Sequence, residues 1–140
     1  MDGMNTEQIM ERINSSPYLK ENHLQVEMMQ EKEAIASIII DDNILNPHGY
    51  AHGGAIYSVA DLAAGAACCY GGHSVVTLNG SINYIKAGSG VKLLAHAEVI
   101  SKGGHTAVIG VRITNEKEIL IAQATFTMYF VDQDRYDVKR

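Results

Sequence analysis

Between residues 46 and 61 the chain reads NPHGYAHGGAIYSVAD, and this stretch collects the groups that attack on an acyl carbonyl requires. Asp61 is set in a smooth apolar run, after Val59 and Ala60 and before Leu62, Ala63 and Ala64. A buried carboxylate without a partner is costly, so Asp61 is paired, exposed or functional. Two readings stay open. Asp61 either joins a solvated stripe with Tyr57, Ser58 and Gly65, or it serves as a base, as carboxylates held among apolar groups do. Gly53 and Gly54 fall where a helix should begin, so their N–H groups lack intrahelical acceptors. With the helix dipole behind them, those amides can stabilise a developing oxyanion. Asn46 and His52 add side-chain donors on the same turn.

Spacing limits how these groups can cooperate. Gly53 and Asp61 are eight residues apart, about 12 Å along a straight helix. One carbonyl cannot bond the first amide while its carbon is attacked at the second side chain. If the two share a site, that site lies between two copies with antiparallel helices, Asp61 of one facing Gly53 of the other.

The elements that must carry these residues follow from periodicity. NTEQIMERI offers Asn5 as an N-cap with Gln8 three residues on, which predicts a short helix over about 5–14, ended by SSPY. Residues 23–30 and 33–41 read as strands joined at QEKE. Residues 54–70 are the one long helix candidate, ended at YGGH, where Gly71 and Gly72 can take positive φ. Its lining of Ala55, Ala60, Ala63, Ala64, Gly65, Ala66 and Ala67 suits a buried helix gripped closely by a sheet. Beyond it, period-two runs alternate: Val91, Leu93, Ala95, Ala97 and Val99 oppose Lys92, His96 and Glu98; Ala107 to Ile113 repeats the pattern, and Leu120 to Phe130 closes it. The short breaks KAGSG, SKGG and NEKE predict an antiparallel meander, hence one helix on a curved antiparallel sheet, an α+β fold.

Composition narrows the function classes. The 140 residues suit a single domain, and 46% apolar with 19% charged residues suits a globular chain rather than a disordered one. The net charge is −5 with no basic block, which disfavours nucleic-acid binding. Cys68 and Cys69 are adjacent and so poorly placed to bridge, which makes them small core residues of a reducing compartment. Residues 54–70 are interrupted by Ser58 and Asp61 and fall short of the roughly 20 apolar residues of a membrane span, so a cytoplasmic location without membrane partners is expected. His48 and His52 have helical i, i+4 spacing, but Pro47 and Gly49 make the segment a turn, so no metal site is expected there.

The segment from Asn46 to Asp61, with HGG and an aspartate eight residues after its first glycine, together with TLNGSINYIKAG from Thr77 to Gly88, resembles the hotdog-fold acyl-CoA thioesterases of the PaaI type. The similarity runs over about residues 20–131 and includes ITNEKEILIAQATFTMYF as a closing hairpin. It implies a central helix wrapped by an antiparallel sheet, active sites at a dimer interface, and dimers that often pair into tetramers. By position it makes Asp61 the nucleophile or general base and Gly53 N–H the group that polarises the thioester carbonyl, with His52 beside it. Asn46 would orient the carbonyl or the water, and Thr77 would place a hydroxyl near that water, unless it is an ordinary strand threonine. Gly54, Tyr84, Lys86, Lys102 and His105 are the candidate substrate contacts, the last three for nucleotide phosphates. The Lys86-Ala87-Gly88 turn departs from the Arg-Pro-Ala or Ser-Pro-Ala of many relatives. No cofactor is implied, because coenzyme A is part of the substrate. Two alternatives accompany this reading: a non-catalytic acyl-CoA sensor, and a hotdog dehydratase using a histidine and an acid.

Overall fold

The computed structural model describes residues 1–131. The chain forms helices α1 (Thr6–Asn14) and α2 (Pro17–Glu21), strands β1 (Leu24–Gln30) and β2 (Glu33–Ile39), a 3-10 turn at Asp42–Ile44, and helix α3 (Gly53–Cys68). Strands β3 (Val75–Tyr84), β4 (Lys92–Lys102), β5 (Thr106–Asn115) and β6 (Leu120–Phe130) follow. All six strands join one antiparallel sheet in the order β1-β2-β4-β5-β6-β3. The sheet curls around α3, which touches every strand. This is the hotdog arrangement.

The strand alternation holds in the core. Leu93, Ala95, Ala97, Ala107, Ile109, Val111, Ile113, Ala122, Phe126 and Met128 turn inward and are almost fully buried. They meet Ile56, Val59, Ala60, Ala63, Ala64 and Ala67 of α3. Alanines on both surfaces let helix and sheet approach closely at interior packing density, and the Ala-rich run also has high helix propensity.

Several boundaries differ from the sequence expectation. Helix α3 starts at Gly53, capped by His52, and ends at Cys68 rather than residue 70. The Cys69 N–H bonds the Ala66 carbonyl in a tightened last turn, and the positive φ of Gly71 (82°) and Gly72 (93°) falls in the turn beyond. SSPY ends α1 but also opens α2, with Ser16 as N-cap and Pro17 in the first turn, where proline's missing N–H costs nothing. Val91 is 65% exposed and precedes β4. The meander covers only β4-β5-β6, because β3 crosses to pair with β6 and β2 pairs with β4.

The two sheet edges differ. Along β1, the Asn14 side chain donates to the Val26 carbonyl at 3.0 Å and accepts from its N–H at 2.7 Å, covering part of that edge. Among the described residues strand β3 pairs on one side alone, and on it Val76 and Leu78 are 44% and 58% exposed. No helix among the described residues is long and apolar enough to cross a membrane. Cys68 and Cys69 are buried free thiols, pushed up by burial to about 11 and about 12.

Candidate active site

The loop into α3 is held by backbone bonds at both ends. Ala51 N donates to Gly88 O at 2.9 Å, and His52 N donates to Ile44 O at 2.7 Å. Within the loop, Asn46 Oδ1 accepts the His48 and Tyr50 amides at 2.9 and 3.1 Å, closing the turn that Pro47 and Gly49 open. Asn46 thus spends its carbonyl on the turn, and its amide N–H groups have no acceptor among the described residues. His52 Nδ1 accepts the Gly54 N–H at 3.2 Å, so the imidazole is the helix cap and the Gly54 amide is occupied. The Gly53 N–H has no acceptor among the described residues. It is the single amide at the head of α3 left for a ligand, backed by a 16-residue helix.

Tyr84 closes the other side. Its hydroxyl donates to the Gly53 carbonyl at 2.8 Å. Partial burial of the ring, with the neighbouring Tyr57 as a lesser cause, pushes its phenol up, so it stays a protonated donor at neutral pH. Asn46, Gly53, Tyr84 and Lys86 line one groove of about 340 Å³ with Tyr50, Ile56 and Gly88. Tyr50 and Ile56 were not legible as site residues. Tyr50 reads as a turn residue and Ile56 as helix core, and only the bridge between Ala51 and Gly88 brings both to the groove.

Asp61 lies further down α3, half-buried on the face shared by Tyr57 and Gly65. That face is not open solvent. It runs along β3, where Tyr57 stands over Gly80, Asp61 meets Thr77 and Gly65 meets Val75. Thr77 Oγ1 donates to Asp61 Oδ1 at 2.7 Å and also lies 3.4 Å from Met128 Sδ. The threonine fixes one carboxylate oxygen, and Oδ2 has no partner among the described residues. Within one chain the Asp61–Thr77 pair and the Gly53 groove remain separate, eight residues or about 12 Å apart along the helix. Lys102 and His105 sit at the opposite end of α3. Lys102 Nζ lies 5.1 Å over the Phe130 ring, and His105 stacks on Tyr129 at 6.4 Å.

A small-residue helix wrapped by a six-stranded antiparallel sheet is the hotdog architecture, the fold class to which this chain belongs. Residues 48–122 match the Thioesterase superfamily. The chain is 32% identical over 95 residues to the acyl-coenzyme A thioesterase PaaI of Escherichia coli, across 67% of this chain and 68% of that one. It is 36% identical over 117 residues to an Archaeoglobus fulgidus protein provisionally named an esterase, across 83% and 70%. The solved E. coli PaaI structure shares the fold with a TM-score of 0.83 at 24% identity, over 90% of this chain and 92% of that one. A Streptococcus mutans protein solved with acetyl-CoA gives 0.72 at 33% identity, over 77% and 88%. The chain belongs to the thioesterase superfamily, in its PaaI-type branch, and is a thioester hydrolase.

Proposed function

We propose that the protein hydrolyses an acyl- or aryl-CoA thioester to free CoA and a carboxylate at a site shared by two copies of the chain. The observation that carries this is the pairing of two half-sites on one helix: an amide without an acceptor at Gly53 and a carboxylate held by Thr77 at Asp61. Two α3 helices lying antiparallel would set Asp61 of one copy against Gly53 of the other. The edge of β3 left unpaired among the described residues, with Val76 and Leu78 exposed on either side of Thr77, supplies backbone groups and apolar surface for such pairing. The relatives named as an acyl-CoA thioesterase and solved with acetyl-CoA support CoA as the thiol.

In this mechanism the thioester carbonyl oxygen points at the Gly53 N–H. Asp61 of the other copy takes a proton from water as the water oxygen bonds to the carbonyl carbon, or attacks that carbon itself. Charge moves onto the carbonyl oxygen, where the amide and the helix dipole meet it. The C–S bond then breaks and CoA leaves as a thiolate that regains a proton. On the water route the acyl group departs directly as a carboxylate; on the direct route water cleaves the acyl–Asp61 anhydride to that carboxylate and free Asp61. Thr77 positions Asp61, and the free N–H of Asn46 orients the carbonyl or the water. Tyr84 braces Gly53 from below, and Lys86 at the groove rim meets a CoA phosphate. Lys102 and His105 are remote from the groove within one chain and act only if the antiparallel pairing carries them toward the partner's site.

Steady-state hydrolysis of an acyl- and aryl-CoA panel by wild type and Asp61→Asn tests the proposal. Turnover should fall by orders of magnitude in the variant while CoA binding by calorimetry persists. Robust turnover indifferent to the substitution would reject Asp61. Tight CoA binding by the wild type without hydrolysis would favour a sensor instead.

A further inference from the structure

The outer face of the sheet, turned away from α3, carries a second group of residues capable of chemistry. Glu33 on β2 and Glu98 on β4 are direct cross-strand partners. His96 lies two residues before Glu98, so strand alternation puts all three on one face. The inward neighbours Ala34, Ala95 and Ala97 are completely buried. Like charges directly opposed across strands are destabilising. Among the described residues neither glutamate has a lysine or arginine partner, and both turn to the same imidazole. His96 Nε2 hydrogen-bonds Glu33 Oε2 and lies 3.7 Å from Glu98 Oε1. One imidazole nitrogen thus stands between two carboxylates opposed across the strands, and the three donor atoms converge on one point.

From this we infer that Glu33, His96 and Glu98 form a site for one divalent transition-metal ion of the zinc type. One nitrogen and one oxygen from each carboxylate lie within 4.8 Å of one another. Tetrahedral zinc, with donor bonds of about 2.0–2.2 Å, needs its donors roughly 3.4 Å apart. The exposed Glu98 side chain can swing through the difference. An imidazole with two carboxylates suits zinc better than calcium or magnesium, which take oxygen ligands alone. Gln30 Nε2 donates to Glu33 Oε1, holding that carboxylate so that Oε2 faces the histidine, as outer-sphere partners of metal ligands do. The fourth position opens onto a cavity of about 590 Å³ that His96 and Glu98 line with Arg112. Arg112 pairs with His96 across β4 and β5 and has no acidic partner among the described residues, so a water or small anion can complete the coordination there. The ion is remote from Asp61 and Gly53, and its role is to neutralise the opposed carboxylates and staple β2 to β4.

Calorimetric titration of the chelator-stripped full chain with zinc chloride tests the site. One equivalent should bind per chain. His96→Asn and Glu98→Gln should each weaken binding by at least about tenfold, with circular dichroism showing both variants folded, while His23→Asn and His48→Asn leave it unchanged. Substituting cobalt(II) should give the visible absorption bands of a tetrahedral ion, and His96→Asn should abolish them. Absence of binding at millimolar zinc, or binding that survives His96→Asn, would overturn the inference.

Discussion

Replacing Gly53 by proline removes one hydrogen from the proposed site and almost nothing from the fold. The Gly53 N–H has no acceptor among the described residues, so the helix loses no bond. Proline is favoured at the first helical position, and His52, at φ −60° and ψ 142°, already has the extended conformation that a following proline imposes. A Cβ at this position stands 3.5 Å from the Tyr84 ring, an ordinary contact. Stability should therefore match the wild type within about 1 kcal/mol. Loss of one oxyanion donor costs about 3–4 kcal/mol in other acyl-transfer enzymes, so kcat should fall by a factor of about 10²–10³. Gly53→Ala keeps the N–H and the same added carbon, and it should stay within a few-fold of wild type. Mixing then tests the shared site. When Gly53→Pro and Asp61→Asn chains are co-refolded in equal amounts, half of the dimers are mixed, and each mixed dimer holds one intact site of two. About a quarter of wild-type turnover should return. Undiminished kcat in Gly53→Pro would refute the amide's role. A mixture as inactive as its two components would refute a site assembled from two chains.

Thr77→Val removes the hydroxyl that holds Asp61 at 2.7 Å. A hydrogen bond to a charged group is worth about 1.5–3 kcal/mol, so kcat should drop roughly ten- to a hundredfold. In an Asp61→Asn background the same change should have little further effect, as the double-mutant cycle would show. Gly80→Ala would put a Cβ 2.2 Å from Tyr57 Oη and 2.6 Å from Phe126 Cε1, and this overpacking should cost about 1–3 kcal/mol by urea unfolding. Glu116 accepts the Val91 and Lys92 amides, and the bond from Val91 chiefly holds its carboxyl below the usual range. Because the native group binds its proton less tightly than the unfolded one, its contribution is complete above about pH 4.3 and fades as pH falls through the lowered native value. The urea midpoint of Glu116→Gln should lack that part of the acid dependence. Cys68 and Cys69, with thiols raised by burial, should ignore an aromatic disulfide reagent at pH 8 until the chain is unfolded.

Local signals carried much of the architecture. The capping box formed by Asn5 and Gln8 is present as read, because it needs only residues three apart. The alternation from Leu93 to Met128 survived where each strand buries a single face, and broke at the start of β6, where Ile121 is buried beside Ala122 next to a register shift in β5. Local patterns missed the crossing of β3. Its residues lie mostly exposed at the sheet rim and show no clean alternation, so its partner is set by where α3 delivers the chain.

The same division holds at the site. HGG and Asp61 were legible because a glycine pair at a helix start and a lone carboxylate in an apolar run are anomalies in one dimension. The 12 Å between them followed from helix rise alone. Which head amide is left over was decided by the structure through a local contact, His52 folding back onto Gly54 two residues on. Only the tertiary structure decided that Asp61 meets Thr77 across a helix–strand contact and that Tyr84 holds the Gly53 carbonyl from 31 residues away. Sequence spacing fixes distances along an element, whereas partners brought together by loop closure depend on how every element packs.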